Sequence, residues 1–234
     1  MSSTVEAHLI LFFQTMKDLN RYLEHTLLKA TTTQKEIEEL ILDAEKYNFV
    51  AVCVPPFWVT KVKRELLDTE TQVVTVVGFP LGNTTTESKV FEAQQAIRDG
   101  ADEIDMVWSL TAFKSRMNWP KIELAKMASV CHESERILKV IIETAYLSDE
   151  EIIQACQICA DAGVDFLKTS TGFSPEGARA SHIKLMREHL PSQVGIKASG
   201  GIRELEKTLQ MIQAGADRIG TSSGPAIMEA YLNP

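Results

Sequence analysis

RDGADEIDMV at residues 98–107, ADAGVDFLKT at 160–169 and IQAGADRIGT at 212–221 share one layout. In each, a helical pattern ends and is followed by Gly, a small apolar residue, Asp and a strand. Gly100, Gly163 and Gly215 fit the position just past a helix, where left-handed backbone carries no Cβ penalty. The repeat therefore reads as a short αβ loop used three times. Working outward from it gives eight strands, around Tyr22–Leu28, Val50–Pro55, Val73–Phe79, Glu103–Trp108, Leu138–Thr144, Phe166–Thr171, Val194–Ser199 and Arg218–Ser222. VVTVVGF (73–79) and LKVIIET (138–144) are near-continuous apolar runs, as parallel strands covered on both faces require.

Helical patterns lie between these strands. TTTQKEIEELILDAEKY (31–47) sets Thr33 and Glu36 at capping-box spacing and brings Ile37, Leu40, Ile41 and Ala44 to one side. Thr84/Glu87 and Ser148/Glu151 repeat the spacing, and Gly215 closes a helix starting near Arg203. Strands alternating with helices roughly every 30 residues, without a linker, predict an α/β chain folded as a single (β/α)8 TIM barrel. The barrel domain spans residues 21–234, behind a short N-terminal helical extension of residues 1–20. The rival is an open doubly wound sheet. It calls for a Gly-rich dinucleotide fingerprint at its first βα turn, and VCVPPFW (52–58) is nothing like one.

The 234 residues suit one barrel, and 44% hydrophobic with 24% charged residues is ordinary for a soluble globular protein. A net charge of −8 argues against nucleic acid as a partner but leaves an anionic substrate open. Cys53, Cys131, Cys156 and Cys159 form no dense framework, which suits a reducing compartment. Cys156 and Cys159 share helical spacing with Ile152, Ile153 and Ala160, so they read as small core residues rather than a redox or metal pair. HLILFF (8–13) is far too short to span a bilayer, and Glu6 with no Lys or Arg precedes it, unlike a signal peptide. It reads as a short helix covering the end of the core, or as residues ahead of a start at Met16.

Barrel active sites sit at the C-terminal ends of the strands. There the sequence places Asp105 on the fourth strand, Glu143 at the end of the fifth (which opens with Lys139), Lys168 on the sixth and Lys197 on the seventh. A buried ammonium group is costly unless it is paired or gives up its proton. Neighbouring strands lie about 4.8 Å apart. Repulsion between inward-facing Lys168 and Lys197, together with burial, is therefore expected to push one pKa below the usual value of about 10.4. A neutral amine is a nucleophile suited to Schiff-base formation, and Asp105 could serve it as general acid/base. The alternative is that both lysines are satisfied in an ion network with Asp105 and Glu143.

The small residues suggest a second function. Gly172 follows the sixth strand; Gly200, Gly201 and Arg203 follow the seventh; Gly220, Ser222 and Ser223 end or follow the eighth. Backbone N–H groups presented by such loops at helix N-termini make an anion site, and a phosphate is expected there, although ordinary tight turns share the pattern. His25 reads as a hydrogen-bonded core residue beside Glu24, and His132, His182 and His189 as surface residues of helices. Cys53 reads as buried at the end of the second strand. No spacing resembles a metal cluster.

EHTLLK (24–29), VGFPLGNTTTESK (77–89), DGADEIDMV (99–107), LKVIIET (138–144), DFLKTSTGF (165–173), GIKASGGIR (195–203) and RIGTSSG (218–224) together resemble the 2-deoxyribose-5-phosphate aldolase family, from about Tyr22 to Gly224. The resemblance implies a class I lyase cleaving 2-deoxy-D-ribose 5-phosphate to D-glyceraldehyde 3-phosphate and acetaldehyde, in deoxyribonucleotide catabolism. By the same resemblance Lys168 forms the Schiff base, Lys197 depresses its pKa and Asp105 joins the proton relay. Gly172, Gly200, Gly201, Gly220, Ser222 and Ser223 hold the phosphate, with Arg203 nearby. No metal or organic cofactor is implied, nor a nucleic-acid or membrane partner; the family is cytoplasmic and often forms homodimers.

Four departures from the commoner family pattern stand out. Glu24 replaces an aspartate, VCVPPFW replaces VCVNPSY, and Trp108 and Ser109 replace an aliphatic residue and asparagine. The chain also ends at YLNP without the tyrosine tail of some members. The first three bear on the acceptor pocket or on the water network around Asp105. Two other readings remain: a Schiff-base barrel aldolase for another phosphorylated aldehyde or ketose, and a lapsed barrel that only binds phosphosugars. The intact Lys168, Lys197 and Asp105 set argues against the last.

Overall fold

In the computed structural model, which describes residues 18–233, eight strands close into one parallel barrel in sequence order. They are β1 (Leu23–Thr26), β2 (Ala51–Val54), β3 (Gln72–Val77), β4 (Glu103–Val107), β5 (Ile137–Ile141), β6 (Phe166–Lys168), β7 (Gly195–Ser199) and β8 (Arg218–Thr221). The outer ring comprises α1 (Gln34–Tyr47), α2 (Val59–Glu65), α3 (Thr86–Arg98), α4 (Leu110–Lys114), α5 (Trp119–His132), α6 (Asp149–Asp161), α7 (Ala180–His189), α8 (Leu205–Gln213) and α9 (Gly224–Leu232). This is the expected (β/α)8 fold. HLILFF and nearly all of the anticipated extension lie outside the described residues.

The repeated Gly-x-Asp has a structural reason. Gly100, Gly163 and Gly215 take φ values of 105°, 78° and 110°, turning the chain from helix into strand. The aspartate then ties each new strand to the strand two elements back along the chain. Asp102 N–H donates to the Val73 carbonyl while its carboxylate accepts from Val73 N–H at 2.9 Å. Asp165 makes the same two-way bond with Leu138, and Asp217 with Ile196. These bonds pair β4 with β3, β6 with β5 and β8 with β7 at the N-terminal rim, away from the site. Asp165→Ala would leave the Leu138 N–H without its acceptor and is expected to cost about 1–3 kcal/mol. A lowered urea midpoint with unchanged kcat is the expected measurement, and Asp165→Asn should recover most of the loss.

Helix starts follow their caps. Thr33/Glu36 and Ser148/Glu151 both form complete capping boxes. The third differs by one residue: Thr85, not Thr84, caps α3 by accepting from Ser88 N–H. A run of three threonines offers several caps, and the extended backbone at Thr85 selects that one.

Strand parity divides the core in two. Val52, Ile104, Met106, Leu138, Val140, Leu167, Ile196 and Ile219 face the helices in the main apolar cluster. Ala51, Cys53, Val74 and Val76 form a separate apolar cluster. Cys156 and Cys159 are buried free thiols on α6, as their spacing predicts. His132 and His189 lie in exposed positions, but His182 is buried on α7 rather than at the surface, where desolvation lowers its pKa.

Candidate active site

Alternation in the strands sends an ionisable set away from the helix layer. Ile104 and Met106 join the main apolar cluster, leaving Glu103 and Asp105 on the opposite parity. The same two-residue period selects Glu24 on β1, Lys139 on β5, Lys168 on β6 and Lys197 on β7. All six are buried. Lys168 and Lys197 are register partners on adjacent strands, as are Asp105 and Lys139.

Asp105 is the hub. Its Oδ2 accepts from Lys168 Nζ at 2.6 Å and from Lys197 Nζ at 2.7 Å, and its Oδ1 from Lys139 Nζ at 3.0 Å. Lys197 also contacts Glu24, and Lys139 contacts Glu103 and, at 3.6 Å, Glu24. Arg218 reaches Glu103 at 3.7 Å. In the sequence Lys139 stands out only as the start of the fifth strand and Glu24 only as a departure from the family pattern, and Glu103 is given no role. Their signal was parity: each is a charge at an inward position of an otherwise apolar strand.

Burial alone would raise the Asp105 pKa, but the three ammonium groups outweigh it and hold the carboxyl well below the usual range. Glu24 is lowered in the same way, with Lys139 and Lys197 overcoming the burial penalty. At Lys197 desolvation pulls down, yet Asp105 and Glu24 pull up more strongly, so its pKa lies above the ordinary lysine value. Lys197 is therefore not the lysine whose pKa falls below the usual value, because Asp105 and Glu24 lie against it. Glu143 takes no part in this network. It accepts from Thr171 and Ser174 instead.

Four cations, Lys139, Lys168, Lys197 and Arg218, thus share three carboxylates, Glu24, Glu103 and Asp105. Lys139 meets three of these carboxylates and Lys197 two, whereas Lys168 meets Asp105 alone. Lys168 is also the member of the network that lines an open cavity, of about 370 Å³.

Gly172, Gly200 and Gly201 line that same cavity, as do Arg203, Gly220 and Ser222. Ser223 does not; its N–H donates to Thr221 Oγ1 as the chain enters α9. Lys29, at the end of EHTLLK, adds a third cation to the lining beside Lys168 and Arg203, one to which the sequence reading gives no role. Gly220 is small for a reason visible in the packing. A Cβ there would meet Lys197 Cε and Ser199 Cβ, each at 3.1 Å.

The remaining sequence candidates fall outside the charge network. His25 packs against Phe49 and lies 3.6 Å from Asp43, and burial lowers its pKa. Cys53 is buried, and desolvation pushes its thiol up to about 11. Of the departures from the family pattern, Glu24 sits in the network. Trp108 does not: its ring packs on Phe113 and its N–H donates to the Ile142 carbonyl. Ser109 caps α4 and gives its N–H to Glu123.

An amine open to the cavity, a carboxylate in contact with it and an adjacent set of glycine loops with Arg203 have the chemistry to suit a carbonyl compound bearing an anionic group. Comparison with known proteins agrees. The chain is 48% identical over 215 residues to the deoxyribose-phosphate aldolase of Lactococcus lactis subsp. lactis (strain IL1403), covering 92% of this chain and 97% of that protein. A solved structure described as QR15, an aldolase, superposes with a TM-score of 0.88 at 44% identity, covering 93% of this chain and 97% of the other. The deoxyribose phosphate aldolase of Aeropyrum pernix, described as having a unique tetrameric structure, superposes with a TM-score of 0.85 at 28% identity over 92% of this chain and 91% of that one. The model of the DeoC/LacD family aldolases matches residues 21–230, and the chain belongs to that family.

Proposed function

We propose that this aldolase cleaves 2-deoxy-D-ribose 5-phosphate to D-glyceraldehyde 3-phosphate and acetaldehyde through a Schiff base on Lys168. The observation carrying the assignment of Lys168 is its place in the network: of the three lysines it has the fewest carboxylate partners, and it faces the cavity that holds the glycine loops. Of the network's three lysines it is the one that opens on that cavity, so a substrate carbonyl can reach its amine.

The steps follow from the contacts. Asp105, 2.6 Å from Lys168 Nζ, is placed to take the proton that frees the amine. The amine adds to C1 of the open-chain sugar, and loss of water, with a proton returned to the departing hydroxyl, leaves an iminium ion. Removal of the C3 hydroxyl proton lets the C2–C3 bond break. Its electron pair neutralises the iminium as an enamine, and glyceraldehyde 3-phosphate leaves. Protonation at C2 and hydrolysis then release acetaldehyde and restore Lys168. Lys197, on the same Asp105 oxygen, keeps that carboxylate ionised between transfers. Backbone N–H groups around Gly172, Gly200, Gly201 and Gly220, with Arg203 and Ser222, hold the 5-phosphate.

Residues 21–234 as the aldolase domain, a cytoplasmic location and a homodimer belong to the same proposal. Among the described residues, no helix is long and apolar enough to cross a membrane. The decisive assay follows glyceraldehyde 3-phosphate release from deoxyribose 5-phosphate beside other sugar phosphates. Deoxyribose 5-phosphate is expected to give the highest kcat/KM; a clear preference for another substrate would replace it in this reading.

A further inference from the structure

Two residues beyond β5 the chain passes through Glu143 in the left-handed region, φ 55° and ψ 69°, which side chains with a Cβ disfavour. Its carboxylate is buried, and among the described residues no Lys, Arg or His comes within ion-pair distance of it. Neutral donors from one short segment satisfy it. Thr171 N–H lies 3.2 Å from Oε2 and 3.3 Å from Oε1, and the Thr171 hydroxyl bonds the same carboxylate. Ser174 Oγ lies 3.0 Å from Oε1, sharing its hydrogen with the Glu176 carbonyl. Thr171 Oγ1 in turn accepts from Phe173 N–H.

The segment so held, Thr171–Ser174, forms a partition. On one side is the cavity of Lys168, which Thr171, Gly172 and Phe173 line. On the other is a second cavity of about 500 Å³, bounded by Glu143, Thr171, Phe173 and Ser174 and by apolar residues such as Leu81 and Val107. With cavities on both faces, the loop is held by the hydrogen bonds to Glu143 together with the edge contact of the Phe173 ring on Phe79. The unfavourable backbone at Glu143 fits that task, since it aims the carboxylate back at the loop.

We infer that Glu143 is a positioning residue. It sets the loop after β6 so that the Gly172 backbone faces the phosphate, and it does not touch the reacting carbons. The inference rests on the phosphate cradle of the proposed function and deepens it.

The test compares wild type with Glu143→Ala and Glu143→Gln. Wild-type trapping of acetaldehyde on Lys168 with borohydride checks the aldolase reading by itself. The change in melting temperature on adding inorganic phosphate checks the cradle without any turnover. Glu143→Ala is expected to lose most of that phosphate-induced shift. Its KM for deoxyribose 5-phosphate should rise about 10- to 100-fold, as for loss of hydrogen bonds to a charged group. Its KM for unphosphorylated deoxyribose should stay within about threefold, and acetaldehyde trapping should persist. Glu143→Gln keeps an acceptor oxygen and is expected to recover most of the phosphate shift. If Glu143→Ala does not fold, Thr171→Val and Ser174→Ala carry the same comparison, each with a smaller rise in the phosphate-dependent KM. An unchanged phosphate shift, equal losses on both sugars, or loss of trapping in folded protein would each overturn the positioning role.

Discussion

Lys168→Leu is expected to lower turnover of deoxyribose 5-phosphate by roughly 10⁴-fold or more, because it removes the amine that touches Asp105 and forms the covalent intermediate. Lys197 and Lys139 are fully buried and bound to two and three carboxylates, so neither can substitute. The fold should tolerate the change. Removing Lys168 leaves three cations against three carboxylates, and a leucine of similar bulk takes over its buried stem, so stability is expected to hold or rise slightly. Mass spectrometry after acetaldehyde and borohydride should find a reduced two-carbon adduct on Lys168 in wild type and none in the variant. The phosphate-induced rise in melting temperature should survive in both. Retained turnover in Lys168→Leu would sink the nucleophile assignment.

Much of this was legible in the sequence, and the reasons are specific. The Gly-x-Asp repeat marks three barrel strands because glycine and aspartate each meet a local need there: a left-handed turn, and a bond to the N–H of the preceding strand's second residue. Local needs are written in adjacent residues. Lys168 and Lys197 were also recoverable, since equivalent places on adjacent strands become register partners. Non-local choices were harder. Lys139 meets Asp105, Glu103 and Glu24 from strands distant in sequence, and only strict counting of inward parity would have gathered them.

The raised pKa of Lys197 was hidden for the same reason. Two lysines considered alone repel, but burial had also placed carboxylates between them. Glu143 was visible at the end of its strand, and yet its backbone angle and its bonds to Thr171 depend on a loop whose path no spacing announces. Thr85 as the cap of α3 turned on backbone angles at one of three identical residues.

Asp105→Asn should have the second large effect, and it separates charge from shape. The amide keeps the volume but removes the carboxylate shared by Lys139, Lys168 and Lys197, leaving three buried lysines and the half-buried Arg218 against two carboxylates. Breaking a buried pair by removing one partner costs about 3–5 kcal/mol. Loss of the group that exchanges protons with Lys168 should lower kcat by about 10²- to 10⁴-fold. The stability loss should depend on pH in a definite way. The depressed pKa of Asp105 contributes stability that is complete above its unfolded value, about 3.9, and is lost as pH falls through the lower folded value. The raised pKa of Lys197 contributes stability that is complete below about 10.4 and is lost as pH rises through the higher folded value. Urea midpoints of wild type and Asp105→Asn should therefore differ most between roughly pH 5 and pH 10 and converge toward both extremes. Adding Lys197→Met to Asp105→Asn removes one uncompensated cation and is expected to restore part of the stability. It should restore none of the turnover, because the proton acceptor beside Lys168 is still missing. Recovery of kcat in the double variant would instead mean that Asp105 acts on the reaction solely by holding the lysines in place.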